Sequence, residues 1–359
     1  MDFALRAEQL ELQRTVRDFL ADKAPESAVR ALMDDETGHD PRVWRQMATQ
    51  LGLQGLTIDE DYGGAGCGLQ EQAVVFEAMG AAVFGGPYFA TVALAVPALA
   101  RAGGSAAAEY LPRIAQGELI ATVALEASAA ERTPDGWALT GEAGYVLDGH
   151  LADLVVVPAR TAVGVSLFAV VGDAPGLKRE PLATVDQTRR LARLTLDATP
   201  AQPVGVGGAG TEILDHALDV AAVLLAAEQV GGASGCLTET VEYAKVREQF
   251  GRPIGSFQAI KHVWTDLLLE VESARAAAQF GAWAADCAPA ELPVAASLAK
   301  AHCSQAYSRV ATESIQLHGG IGFTWEHRAH LYFKRAKSSE LLLGGIAHHR
   351  ERLVQRLGL

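Results

Sequence analysis

Leu154-Val155-Val156-Val157 and, after a short break, Val165-Ser166-Leu167-Phe168-Ala169-Val170-Val171 are the stretches whose reading decides the fold. Both are β-branched runs of strand length, and Pro158 and Gly164 stand between them. Working outward, Trp137-Ala138-Leu139-Thr140-Gly141 and Tyr145-Val146-Leu147 precede them, and Ala192-Arg193-Leu194-Thr195-Leu196 follows. Gly, Asp and Pro again separate the runs, so residues 120–208 read as a small antiparallel β domain. On either side the period becomes helical. Leu5, Leu10, Leu12, Val16 and Leu20 mark an amphipathic first helix, and residues 41–51 look like another. Beyond Thr211 the segments around 213–246, 258–285 and 292–317 are long and helical. The expected fold is therefore α+β, mostly α. An N-terminal helical domain spans 1–119, the β domain 120–208, and a C-terminal helical bundle 209–359.

Bulk properties narrow the partners. The 359 residues carry a net charge of −13, which argues against nucleic acid, whose phosphates need a basic surface. A local basic pocket for a phosphorylated cofactor stays open. With 49% hydrophobic residues, only 6% aromatic ones and abundant alanine, helices should pack closely on one another. The start, MDFALRAEQLELQ, has no basic stretch leading into an apolar run, so no signal peptide is expected. The apolar stretch from about Tyr88 to Ala100 contains Pro97 and is short for a membrane span. Cys67, Cys236, Cys287 and Cys303 have no metal-ligand spacing and read as buried free thiols in a reducing cytoplasm. The ten histidines are not clustered like a metal site. Asp61-Tyr62-Gly63-Gly64-Ala65-Gly66 lacks the Lys and Ser/Thr of a phosphate loop and reads as a tight turn between helices.

Three motifs, in order along the chain, resemble the acyl-CoA dehydrogenase family. They are Leu51-Gly-Leu-Gln-Gly-Leu-Thr-Ile-Asp-Glu-Asp-Tyr-Gly-Gly-Ala-Gly66, Tyr243-Ala-Lys-Val-Arg-Glu-Gln-Phe-Gly-Arg-Pro-Ile-Gly-Ser-Phe-Gln-Ala-Ile-Lys-His262, and Gln316-Leu-His-Gly-Gly-Ile-Gly-Phe-Thr-Trp-Glu-His327. The resemblance implies FAD as cofactor, an acyl-CoA substrate, and electron-transfer flavoprotein as acceptor. It also implies that Arg247, Gln249, Phe250, Gln258, Gln316, Gly319 and Gly320 hold the adenosine-pyrophosphate half of a neighbouring subunit's FAD. The chemistry suits that role. An arginine can bond a pyrophosphate bidentately, and glycines let backbone N–H groups approach anionic oxygens.

The resemblance weakens where the reaction takes place. The family removes the substrate's α-proton with a carboxylate placed just before a glycine near the C-terminus. In Lys334-Arg335-Ala336-Lys337-Ser338-Ser339-Glu340-Leu341-Leu342-Leu343-Gly344-Gly345 that position holds Leu343, which accepts no proton. The alternative family position, near the start of the first long C-terminal helix, holds Ala221 and Ala222. Glu228 lies seven residues beyond Ala221, about 10 Å along a helix axis. Glu340 is the remaining nominee for a base. If the segment is helical, it stands about 4.5 Å along the axis from Leu343. Its other reading is a glutamate paired with Arg335 or Lys337. In the β domain, Ala124-Leu125-Glu126-Ala127-Ser128-Ala129-Ala130 replaces the family's Thr-Glu-Pro…Gly-Ser-Asp stretch, and Tyr145-Val146-Leu147 replaces its Trp-x-Thr. Tyr145 remains able to stack on a flavin ring, whereas the Leu147 side chain has no hydrogen bond to offer one.

Three functions follow as alternatives. One is a short subunit of an α2β2 acyl-CoA dehydrogenase, of the kind found in sterol catabolism, whose partner supplies the base. Another is a self-sufficient homo-oligomer using Glu340. The third is a non-catalytic scaffold that binds CoA esters.

Overall fold

The computed structural model describes residues 4–134 and 136–359; Met1, Asp2 and Phe3, with which the N-terminal reading begins, and Asp135 lie outside the described residues. In chain order the elements are α1 (Ala7–Lys23), α2 (Glu26–Asp34), α3 (Pro41–Thr49), α4 (Leu69–Ala82), α5 (Val96–Ala102) and α6 (Gly104–Ala115). Then come β1 (Ala121–Val123), β2 (Ser128–Thr133), β3 (Gly136–Leu147), β4 (Leu154–Thr161), β5 (Gly164–Val171), β6 (Leu177–Leu182) and β7 (Leu191–Val204). The chain returns to helix with α7 (Gly210–Val246), forms the two-stranded β8 (Glu248–Gln249) and β9 (Arg252–Pro253), and ends in α8 (Gln258–Cys287), α9 (Leu292–His318), α10 (Ala329–Leu341) and α11 (Ile346–Arg356). The helical, β, helical order is the one the sequence implies.

Two compact units share these elements. One comprises Ala31–Gly68 and Gly85–Ala221, the other Met1–Arg30, Leu69–Phe84 and Ala222–Leu359. In the first, the strands pair in a circuit, β4 to β2, β2 to β3, β3 to β7, β7 to β5 and β5 back to β4. Closing the circuit satisfies strand edges that would otherwise be exposed. β1 joins β4, and β6 joins β7. Most pairings are antiparallel, as expected; β1–β4 and β2–β4 are parallel. Leu139, Val155, Val157, Phe168, Val170, Leu194 and Leu196 fill the interior. Trp137 meets Phe168 edge to face, with centroids 5.2 Å apart. Leu154 and Val156 are buried as well. With both faces of β4 covered, its sequence reads as an unbroken apolar run rather than an alternation.

The glycine-rich loop at residues 61–66 is the turn it was read to be. Gly63 and Gly66 have φ of +77° and +61°. The amides of Ala65, Gly66 and Cys67 donate to the carbonyls of Gly55, Ile58 and Leu56, so none is directed outward to a phosphate. At α3, Asp40 caps the N-terminus by accepting from the Arg42 amide at 2.8 Å, with Pro41 as the first helical residue.

In the second unit, alanine does what the composition suggests. Ala226, Ala274, Ala278, Ala299 and Ala306 form one cluster with Val230 and Cys303, where α7, α8 and α9 approach closely. α4 crosses α7 more tightly still. A Cβ added at Gly80 would lie 1.9 Å from the Glu228 carbonyl oxygen, and one at Gly231 would lie 1.8 Å from that of Glu77. α7 is long and apolar enough to cross a membrane, but 89% of its apolar window is buried within the protein. None of the four cysteines is in a disulfide; Cys236 and Cys303 are buried as expected, whereas Cys67 is half-buried and Cys287 is exposed. Burial pushes the Cys236 and Cys303 thiols up to about 12, which leaves them unreactive.

Candidate functional site

Two chain reversals in the second unit build the site. At the first, α7 stops and Arg247 leads into the β8–β9 hairpin, where the Ile254 amide donates to the Arg247 carbonyl at 2.7 Å. The two loop residues, Phe250 and Gly251, have φ of +54° and +75°. Positive φ at both positions is the geometry that suits the twist of a two-residue hairpin. A phenylalanine there is strained, since its Cβ crowds the backbone. The turn nevertheless holds its ring 93% exposed, touching Phe257 edge to face at 6.2 Å. Gln258 follows as the first residue of α8.

At the second reversal α9 ends on His318, and Gly319, with φ of +64°, opens the turn Gly319–Phe323. The two reversals lie together. The Tyr243 hydroxyl donates to the His318 carbonyl at 3.3 Å, and their rings meet at a tilt of 37° with centroids 4.5 Å apart. Tyr243 stands one turn before Arg247, and His318 immediately precedes Gly319, so the arginine and the glycines share a corner. Arg247, Gln249, Phe250, Gln258, Gln316, Gly319 and Gly320 are all exposed. Among the described residues the Arg247 guanidinium has no ion pair, while nearby Lys245 is paired with Glu242 at 2.5 Å.

This corner fits an external diphosphate. Gly319 is required by its own φ, but Gly320 is not, and a Cβ at Gly320 would meet nothing within 4 Å. This chain's own packing therefore explains neither the glycine at 320 nor the strained, solvent-held Phe250. A ligand brought close to the backbone from outside explains both. Phe323 and Trp325, 88% and 67% exposed, extend the same surface and escaped the sequence reading. Their adjacency to the glycines was the available signal.

The segment that should carry a base differs from the helical expectation. α10 stops at Leu341, and Leu343 sits at φ +62°, so Glu340 and Leu343 are not on one continuous helix. The fully buried Lys300 ammonium enforces the stop by donating to the carbonyls of Glu340 (3.1 Å) and Gly344 (3.3 Å) and to the Ser304 hydroxyl (2.9 Å). His349 Nε2 donates to the Leu343 carbonyl at 3.0 Å. The sequence reading missed both residues. Glu340 accepts from Ser308 Oγ at 2.5 Å and from Lys337 Nζ at 3.0 Å. Burial alone would raise its proton affinity. The Ser308 hydrogen bond and the Lys337 and Lys300 charges outweigh that and leave its pKa below the usual value. Glu228 is buried against Arg335 at 3.0 Å, and Arg335 also donates to the Phe84 carbonyl at 3.0 Å. Ala221 and Ala222 are fully buried.

In the β unit the flavin-ring contacts do not fit. Tyr145 lies at φ +54° in an irregularity between Ala143 and Val146, and is 74% exposed. Leu147 is buried, and its carbonyl accepts from Thr122 Oγ1 at 2.6 Å. Glu126 turns to accept from the Gly144 amide at 2.6 Å. Ser128 is buried, with its Oγ unpartnered among the described residues, next to Gly141. Among these side chains only Tyr145 is free to meet a ring.

Comparison with known proteins agrees with this anatomy. The family model "Acyl-CoA dehydrogenase, C-terminal domain" matches residues 208–358, and "Acyl-CoA dehydrogenase, N-terminal domain" matches 6–118. Acyl-CoA dehydrogenase IpdE2 of Mycobacterium tuberculosis is 41% identical over 336 residues, covering 94% of this chain and 93% of its own. Among solved structures, a chain of the ChsE4-ChsE5 complex from Mycobacterium tuberculosis superposes with a TM-score of 0.92 at 31% identity, covering 100% of this chain and 99% of its own. A chain of a Tcur3481-Tcur3483 steroid ACAD variant gives 0.89 at 35% identity, with 98% of each covered.

Proposed function

The chain belongs to the acyl-CoA dehydrogenase family, and we propose that it is the subunit of a heteromeric enzyme that completes a catalytic partner's FAD site. The observation that carries this reading is the contrast between its two halves of a flavin site. The corner built from Arg247, Phe250 and the glycine turn is open and unexplained by the chain itself, whereas the ring-side and base positions hold Leu147 and Leu343. When bound, FAD supplies hydride acceptance in α,β-desaturation of an acyl-CoA thioester. This chain's part is to bind and orient. Arg247 sets two N–H donors against the diphosphate, Gly319 and Gly320 bring backbone amides to it, and Phe250 covers an apolar part of the cofactor. Gln249, Gln258 and Gln316 supply amide groups at the rim.

The partner supplies the proton-abstracting carboxylate. Relatives described as a ChsE4-ChsE5 complex and as a steroid ACAD support a two-chain assembly and a steroid-like acyl group. Electron-transfer flavoprotein serves as acceptor, and a reducing cytoplasm suits the four free thiols. The test is co-expression with any acyl-CoA dehydrogenase-like chain encoded beside it. Arg247→Ala in that assembly lowers FAD affinity by at least tenfold, about 1.4 kcal/mol, the low end for a charge-assisted bond. Undiminished FAD retention overturns the assignment.

A further inference from the structure

Three rings lie beneath the glycine turn, and their hydrogen bonds settle where the protons are. His318 Nδ1 is 2.7 Å from the Ser314 carbonyl, which can only accept, so Nδ1 carries the hydrogen. His318 Nε2 is then a bare acceptor, buried and without a hydrogen-bond partner among the described residues. His327 Nδ1 accepts from the Ala329 amide at 3.2 Å, so its hydrogen is on Nε2. That bond caps the first residue of α10. The two imidazoles pack at a tilt of 48° with centroids 4.2 Å apart, and Tyr243 closes the cluster at 4.5 Å from His318 and 6.3 Å from His327. His318 ends the helix before the turn Gly319–Phe323, and His327 caps the helix after it.

We propose that Tyr243, His318 and His327 are positioning residues that clamp the glycine turn from both sides, and that the clamp holds only while both imidazoles are neutral. Protonating His318 would place an N–H donor and a charge at a buried site with no acceptor. Protonating His327 at Nδ1 would break the bond to Ala329 and release the start of α10. Either charge would repel the other ring. The surroundings do not reverse this. Around His327, Arg328 and Arg30 oppose a positive charge and Glu26 favours one; Glu26 and Glu239 are themselves engaged by Arg328, Glu239 at 2.7 Å and Glu26 at 3.9 Å. Tyr243 and, from the preceding turn of α9, Ser314 add no charge at His318. Burial lowers both histidines below the ordinary value of 6.5. By linkage, a lowered histidine stabilises the clamp above the unfolded value and loses that contribution as pH falls through the folded one.

The clamp acts on the turn that the proposed FAD role uses, so it rests on that reading only for its consequence, and the test separates the two. Amide hydrogen exchange of Gly319–Phe323 is measured in the full-length chain from pH 7.5 to 5, corrected for intrinsic rates. Protection falls about tenfold on acidification, the loss expected when a buried polar group is left without a partner. His327→Asn keeps an acceptor for Ala329 but cannot ionise, so it removes one of the two acid-sensitive rings and makes the profile shallower. His327→Leu removes the acceptor and lowers protection at every pH. His318→Asn is a second non-ionising variant should the first fail to fold. Equal acid sensitivity in wild type and both asparagine variants, or protection independent of pH in wild type, overturns the clamp. If the clamp behaves as stated while FAD affinity of the assembly follows neither pH nor these variants, the clamp stands and the FAD reading fails.

Discussion

Glu340 is where chemistry and architecture compete for one side chain. Its carboxylate is held by Ser308 and Lys337, and its lowered pKa suits a structural anion better than a proton acceptor working near neutrality. Glu340→Gln in the assembled enzyme therefore leaves substrate-driven flavin bleaching within about twofold of wild type. A fall of roughly 10²-fold or more, the usual cost of losing a general base, would give Glu340 the catalytic role instead. Glu228 makes the opposite case. Its buried pairing with Arg335 means that Glu228→Leu strands a guanidinium in the core, at a cost of about 3–5 kcal/mol in urea unfolding. A loss below about 1 kcal/mol would show that the pair is dispensable. His349 supplies a pH signature. It is buried beside Lys300, and burial and that charge depress its pKa to about 4. Its contribution is complete above about 6.5 and declines as pH falls toward 4, by up to about 3 kcal/mol. Wild type should lose more stability than His349→Asn across that window, and parallel curves would remove His349 as the cause.

At the scale of elements, two glycines give opposite predictions. Gly231→Ala drives a Cβ into the Glu77 carbonyl oxygen, a backbone atom that cannot swing aside, so α4 and α7 must separate. Overpacking of this kind costs about 1–3 kcal/mol or more, read as a lowered thermal midpoint. Gly320→Ala meets nothing in this chain and leaves the midpoint unchanged while reducing FAD retention in the assembly. A stability loss at Gly320 equal to that at Gly231 would mean that the turn serves folding and not a ligand. These contrasts also mark what could be read beforehand. The runs at 154–157 and 165–171 became β4 and β5 because short apolar, β-branched runs bounded by Pro and Gly mark buried strands in side-chain type alone. The stop of α10 at Leu341 was not legible, since Lys300, forty residues away, makes it. Nor was the turn at Phe250, where the sequence offers an aromatic in a place usually given to Asn or Gly. The Tyr243, His318 and His327 cluster lay inside quoted motifs, but ring contacts between separate segments of the chain leave no periodic trace.

For the whole molecule, the proposed function means that the half-site on this chain has no use unless another chain brings the rest. Exposed Phe250, Phe323 and Trp325 are costly to leave in water and are expected to be covered in the assembly. The measurement that tests this most directly is flavin stoichiometry. The chain is purified alone and, separately, with any acyl-CoA dehydrogenase-like chain encoded beside it, and FAD per polypeptide is determined from absorbance after denaturation. The expected result is a colourless, inactive chain alone and an active assembly holding about one FAD for each pair of unlike chains, the occupancy of a composite site. A yellow chain that oxidises acyl-CoA alone, with one FAD per copy, would contradict it.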